Sequence, residues 1–141
     1  MISADVKVRV RYQETDQMGV VYHGNYFTWF EVARIELLDQ MNCPYRSLEK
    51  EGFLLPVLHC EAKFLKPAHF DDRLLVKVFI PEIPNVKIKI FYEVHRVDEI
   101  ICKGQTTHAF IDKRGKLTRP PKRFLKHAKK MILGRESTAE D

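Results

Sequence analysis

The stretch Tyr12–Glu31, YQETDQMGVVYHGNYFTWFE, decides how the rest of the chain is read. It leaves a strand, crosses a polar turn and enters the one long apolar helix of the sequence. A carboxylate (Asp16), a glycine-bearing loop (Gly19, Gly24) and a helix start near His23–Asn25 meet in it. A helix start presents unpaired backbone N–H groups and the positive end of the helix dipole. A carboxylate beside such an end is the equipment for hydrolysing a carbonyl compound: one group attacks or activates water, the other holds the oxyanion. Aspartate is also a common turn residue, and taken alone these residues favour that plainer reading of Asp16.

Upstream, Val6, Val8, Val10 and Tyr12 alternate with Lys7, Arg9, Arg11 and Gln13, a half-buried strand with a basic outer face. Downstream, a helix is expected from Asn25 or Tyr26, with Asn25 as its N-cap, to Met41. At about 100° per residue, Tyr26, Trp29, Phe30, Ala33, Leu37 and Met41 share one face, while Phe27, Val32, Ile35 and Leu38 fall outside it. A helix apolar most of the way round is a buried one. Asn42 and Pro44 end it.

A short helical or irregular connection follows over Tyr45–Gly52, then extended segments over Leu55–Leu65, Leu74–Ile80, Val86–Val94 and Ile100–Ile111, separated by Pro67 with Asp71–Asp72, by Pro81 with Pro84–Asn85, and by Asp98–Glu99. Phe124, Leu125, Ala128 and Ile132 give a short amphipathic C-terminal helix behind Pro120–Pro121. The order strand, helix, four strands is an α+β arrangement. A single domain over 1–133 with a disordered tail over 134–141 is expected.

Against this background the motif carries a resemblance. Tyr12, Thr15–Asp16, Gly19, Val21, His23, Asn25–Tyr26 and Glu31 resemble the signature of the 4-hydroxybenzoyl-CoA thioesterase-like family, and more narrowly its Tol-Pal-associated acyl-CoA thioesterase branch. The resemblance runs from about Val6 to about Ala128. It implies the hotdog fold, a curved antiparallel sheet of about five strands wrapped around one long central helix, and hydrolysis of an acyl-CoA to a free acid and CoA. It assigns catalysis to Asp16 and His23, with Glu31 in reserve, and the oxyanion contacts to the helix start at His23, Gly24 and Asn25. Glu31 otherwise reads as a buried carboxylate bonded to a loop. Tyr26, Phe27 and Phe30, with Trp29, would line the acyl pocket; Lys89, Arg119, Lys122 and Arg123 would meet the CoA phosphates. A homodimer or homotetramer is implied, with acyl carrier protein as a second possible source of the thioester.

The 141 residues, 45% hydrophobic and 30% charged, are those of one globular domain. No apolar run reaches the ~18 residues of a membrane span, and the N-terminus carries no signal-like segment. Three cysteines (Cys43, Cys60, Cys102) without CxxC spacing suggest reduced thiols and a cytoplasmic setting. Six histidines show no metal-type pair, so no metal is expected, and hydrolysis calls for no cofactor. The net charge of +5 favours anionic partners, but the basic residues form no recognisable nucleic-acid motif, and nucleic acid is not expected. Two further readings remain: a hotdog dehydratase, whose His-carboxylate motif is missing, and a non-catalytic module that binds acyl-CoA or acyl carrier protein.

Overall fold

A computed structural model describes residues 1–134 in full and the backbone to 140. Beyond Gly134, the expected tail lies outside the fully described residues. The elements are β1 (Ile2–Arg9), a 3-10 turn (Tyr12–Glu14), α1 (Gly24–Gln40), α2 (Tyr45–Lys50), β2 (Val57–Phe64), β3 (Arg73–Ile80), β4 (Lys87–Arg96), β5 (Glu99–Ala109) and α3 (Lys122–Glu140). The five strands form one antiparallel sheet in the order β1-β3-β4-β5-β2, which leaves β1 and β2 as its edges.

One face of the sheet is apolar for the period-two reason: Leu74, Val76, Val78 and Ile80 of β3 and Ile88, Ile90, Tyr92 and Val94 of β4 are all buried. α1 lies on that face and buries Tyr26, Trp29, Phe30, Ala33, Leu37 and Leu38. This is the sheet wrapped around a helix that the resemblance implies. Val32 and Ile35 stay exposed on α1. The apolar surplus on the helix is therefore only partly absorbed by the fold of the chain itself.

Three local expectations are corrected. β1 begins at Ile2 rather than Val6, because Ile2 and Ala4 are already buried against β3. It stops at Arg9, and Tyr12 sits exposed in the 3-10 turn, its ring edge-on to Phe70. β2 does not alternate in burial: apart from Ala62 its side chains are exposed on both faces.

The α1 backbone runs closest to β1 and β3, and the Phe30 side chain reaches across to Gly104 of β5. Tyr92, Gly104 and Ala62 stand side by side across β4, β5 and β2. Phe30 stacks on Tyr92 with ring centroids 4.4 Å apart. A β-carbon on residue 104 would collide with Cε2 and Cζ of the Phe30 ring. Glycine is usually unfavourable inside a strand; here it makes room for the ring.

Beside this contact runs a buried polar chain. His108 is fully buried, with Nδ1 3.1 Å from the Pro56 carbonyl and Nε2 2.8 Å from Thr106 Oγ1. A carbonyl only accepts, so Nδ1 carries the proton and Nε2 accepts from the Thr106 hydroxyl. Thr106 in turn accepts from the Tyr92 phenol at 2.7 Å, and Arg34 Nη1 donates to Tyr92 Oη at 3.3 Å. Burial, reinforced by the Arg34 charge, presses the His108 pKa down to about 4, so the ring is neutral in the fold.

Two outcomes are expected. Gly104→Ala, which in an unobstructed strand would stabilise, should cost about 3 kcal/mol in urea unfolding, and Phe30→Leu in the same chain should recover part of it. An unchanged midpoint would contradict the contact. His108 protonates in the unfolded chain below its ordinary pKa of 6.5 but in the fold only below about 4. Its contribution to stability is therefore complete above pH 6.5 and is lost as pH falls towards 4, on the order of 3 kcal/mol in all. Unfolding free energies at pH 7 and 4.5 should differ less in His108→Gln than in the wild type; equal differences would refute the assignment.

Candidate active site

The loop between the 3-10 turn and α1 is folded by short-range bonds. Asp16 N–H donates to Val20 O (2.9 Å), Gly19 N–H to Asp16 O (2.9 Å), and Thr15 and Val21 form a bridge. Gly19 takes φ +80°, a conformation glycine adopts without strain. Val21 N–H reaches Ala68 O at 2.8 Å, which docks the loop on the segment after β2. That segment is itself held by Arg96, whose Nη1 donates to Pro67 O (3.0 Å) and Asp72 (2.9 Å) and whose Nη2 donates to Glu99 (2.7 Å). Hydrogen bonds from Lys66, then Arg96, hold the Glu99 carboxyl below its ordinary pKa.

These bonds bring Asp16 and His23 to one cavity of about 310 Å³, lined also by Met18, Val20, Val21, Tyr26, Phe64, Leu65, Lys66 and Pro67. Asp16 is half-buried; its Oδ1 accepts Met18 N–H at 2.9 Å, and its Oδ2 has no partner among the described residues. α1 starts at Gly24 with His23 as its N-cap residue. The N–H groups of His23 and Gly24 have no acceptor among the described residues. The His23 imidazole is exposed, 4.4 Å from the Tyr22 ring and 6.2 Å from the Phe64 ring. Tyr26 is buried at the cavity wall, edge-on to Phe64, and burial pushes its phenol up to about 12. The cavity thus brings together the Asp16 carboxylate, His23 at the helix start and an apolar wall; Gly24, whose N–H is likewise free, lies beside it and does not line it. Among the described residues no group of His, Cys, Asp or Glu could hold a metal.

Other site expectations are placed elsewhere. Asn25 is not the N-cap: it lies inside α1, and its Nδ2 donates to Glu14 O at 2.8 Å. Phe30 is wholly buried in the core on Tyr92, and Phe27 packs edge-on against it; neither lines this cavity. Glu31 is exposed rather than buried, beside a separate cavity with Arg34, Ile35, Leu38, Tyr45 and Leu55. Lys89 projects from the sheet next to Thr107, alternating with the buried Ile88 and Ile90. Arg119 and Lys122 are exposed, whereas Arg123 is half-buried and its Nη1 pairs with Glu51 at 3.0 Å. None of these four cations lines the Asp16 cavity.

The residues that sequence reasoning missed are Glu14, buried behind the loop, and Phe64 to Pro67, which form the opposite wall. Local pattern carries no signal for the latter, since their place follows from sheet order.

A sheet curled over one buried helix, with a carboxylate loop leading into the helix start, defines the hotdog class. The chain belongs to the Thioesterase-like superfamily, which matches residues 10–128. It is similar to YneP of Bacillus subtilis, a protein whose name describes an acyl-CoA thioesterase, with 35% identity over 76% of this chain and 78% of that one. The acyl-CoA thioesterase YbgC of Haemophilus influenzae is 33% identical over 74% of this chain and 78% of its own. Among solved structures, the DHNA-CoA thioesterase of Staphylococcus aureus superposes with a TM-score of 0.87 at 30% identity, covering 97% of this chain and 96% of that chain.

Proposed function

We propose that this protein hydrolyses the thioester of an acyl-CoA, with Asp16 as the reacting carboxylate and the start of α1 as the oxyanion site. The observation that carries this reading is the shared cavity: Asp16, whose Oδ2 is unpartnered among the described residues, and His23 at the helix start line the same space. In that arrangement the carbonyl oxygen of the thioester lies against the free N–H groups of His23 and Gly24, which strengthen their hold as charge develops on it. Asp16 either attacks the carbonyl carbon, giving an anhydride that water then opens, or takes a proton from the attacking water. In both routes the C–S bond breaks, water supplies the oxygen of the acid, and CoA leaves as its thiol. No redox partner or cofactor enters the balance.

The role assigned to His23 is chiefly that of its main chain, since its ring makes no hydrogen bond among the described residues. Glu31 stays in reserve as a second carboxylate. The acyl group would run past Tyr26 and Phe64, with Phe27 at a distance; Phe30, sealed under the sheet, acts through packing. Lys89, Arg119 and Lys122 are exposed cations available to the CoA phosphates, and Arg123 would have to leave Glu51 to join them. The Asp16, Gly19, His23, Asn25, Tyr26 motif and the similarity to YbgC support the Tol-Pal-associated branch. The unpaired thiols Cys43, Cys60 and Cys102 support a reducing, cytoplasmic compartment, and no helix among the described residues is long and apolar enough to cross a membrane.

The working unit is proposed to be a homo-oligomer built on β2. This strand ends the sheet with Val57 and Leu58 exposed, as are Phe64 and Leu65 at its far end. A long apolar edge offers its free backbone groups to another strand. A second copy of β2, antiparallel to the first, would continue the sheet and cover these side chains, giving a dimer or, by pairing dimers, a tetramer.

Thiol release from a panel of acyl-CoAs, acetyl to palmitoyl with benzoyl and 4-hydroxybenzoyl, tests the activity. Wild type should turn over at least one of them, and Asp16→Asn, which keeps the Oδ1 acceptor for Met18 N–H, should fold normally and lose at least 100-fold in kcat. Equal rates in the two proteins would discard Asp16. No release from any CoA ester would favour a thioester on acyl carrier protein or a binding module. Sedimentation at micromolar concentration should give a dimer or tetramer, reduced to monomer by Leu58→Lys with Phe64→Lys; a wild-type monomer would refute the β2 interface.

A further inference from the structure

We propose that Glu14 is the positioning residue that fixes Asp16 against the start of α1, although it never touches the substrate. The inference rests on the reading of Asp16 as the reacting carboxylate.

Glu14 is only 4% exposed. A carboxylate so withdrawn from water needs partners for both oxygens. Oε1 accepts the backbone N–H of Arg11 at 2.7 Å, and Oε2 accepts the indole Nε1–H of Trp29 at 2.9 Å, in the second turn of α1. Arg11 Nε, 3.5 Å from Oε1, supplies a counter-charge. The main-chain oxygen of the same residue accepts two more bonds, from Tyr22 N–H (2.9 Å) and Asn25 Nδ2 (2.8 Å). The residue leading from β1 into the 3-10 turn (Arg11), the far limb of the loop and the first two turns of α1 are thus tied to one residue, two positions before Asp16.

No parallel tie exists among the described residues. Every hydrogen bond from segment 12–20 to α1 ends on Glu14; the bonds of Asp16 itself stay inside the loop. The chemistry also explains why the residue is a glutamate. Two N–H donors point at the two oxygens, and a carboxylate accepts at both. Glutamine would set its own NH2 against one of them. A displacement of about 1 Å at a reacting group is enough to cost on the order of 100-fold in rate, so the clamp matters for turnover more than for substrate affinity.

The test compares wild type, Glu14→Gln, Trp29→Phe and the double variant by kcat and KM on an acyl-CoA, and by amide hydrogen exchange of segment 15–23. Glu14→Gln should lower kcat 10- to 100-fold with KM within threefold, and exchange in 15–23 should accelerate at least tenfold while β3 and β4 are unchanged. Trp29→Phe, which keeps an aromatic ring edge-on to Tyr26 and removes the N–H donor, should show a smaller effect in the same direction, and the double variant should fall short of the product of the two. Unchanged kcat and unchanged loop exchange in a folded Glu14→Gln overturn the proposal, as does a loss expressed in KM alone. Should Glu14→Gln unfold, Trp29→Phe decides by the same readings. If the wild type releases no thiol from any ester, the reading of the activity fails, and the exchange measurement still tests the clamp: unaltered exchange would refute it.

Discussion

The ring of Phe30 occupies the space that a β-carbon would need at position 104, so the core closes in this form only around a glycine there. With no side chain at Gly104, the Phe30 ring reaches β5 and stacks on the neighbouring Tyr92 of β4, while the α1 backbone runs closest to β1 and β3. Dense packing of this kind admits little sliding, so the axial position of α1 over the sheet is set in its second turn. That is the turn whose Trp29 holds Glu14. The contact that builds the core and the contact that orders the loop therefore lie on adjacent residues of one helix.

This adjacency explains how a surface loop becomes a site. Loops are the mobile parts of most folds, and segment 12–23 includes the widely exposed Tyr12 and Met18. Its anchors are buried: Glu14 towards α1 on one side, and Val21 on the Ala68 carbonyl on the other. The second anchor depends on the Arg96 network with Asp72, Glu99 and Pro67. Asp16 sits between two fixed points that belong to different parts of the chain, α1 and the turn that follows β2.

Much of this was legible in the sequence, for physical reasons that differ by element. β4 announces itself because Ile88, Ile90, Tyr92 and Val94 are buried on one side only, and α1 because its buried side chains recur at helical spacing. Asp16 and His23 were legible as a pair because a motif records spatial proximity as sequence spacing. What was not legible depends on long-range pairing. Glu14 in a polar stretch looks like a solvated turn residue until Trp29 is placed above it. Asn25 has the chemistry of a cap, yet its amide finds a better-placed carbonyl at Glu14. Phe30 and Tyr26 are indistinguishable as aromatic helix residues, and only sheet order sends one into the core and the other to the cavity. Arg123 reads as one of a basic run but meets Glu51 across the fold.

The same sheet order sets where the cavity lies. Phe64 closes β2, and Leu65, Lys66 and Pro67 follow directly, so the wall facing Asp16 is the end of an edge strand. Phe64 and Leu65 are each 46% exposed, so a thioester held as proposed would be open to water on that side in a single chain. An oxyanion site acts most strongly when water is excluded. In the proposed oligomer, antiparallel pairing of two β2 strands sets the Phe64 end of one against the Val57 end of the other. The apolar side chains that make β2 an unstable edge would then be the ones that close the cavity, so that assembly and shielding of the reacting carbonyl follow from a single strand pairing.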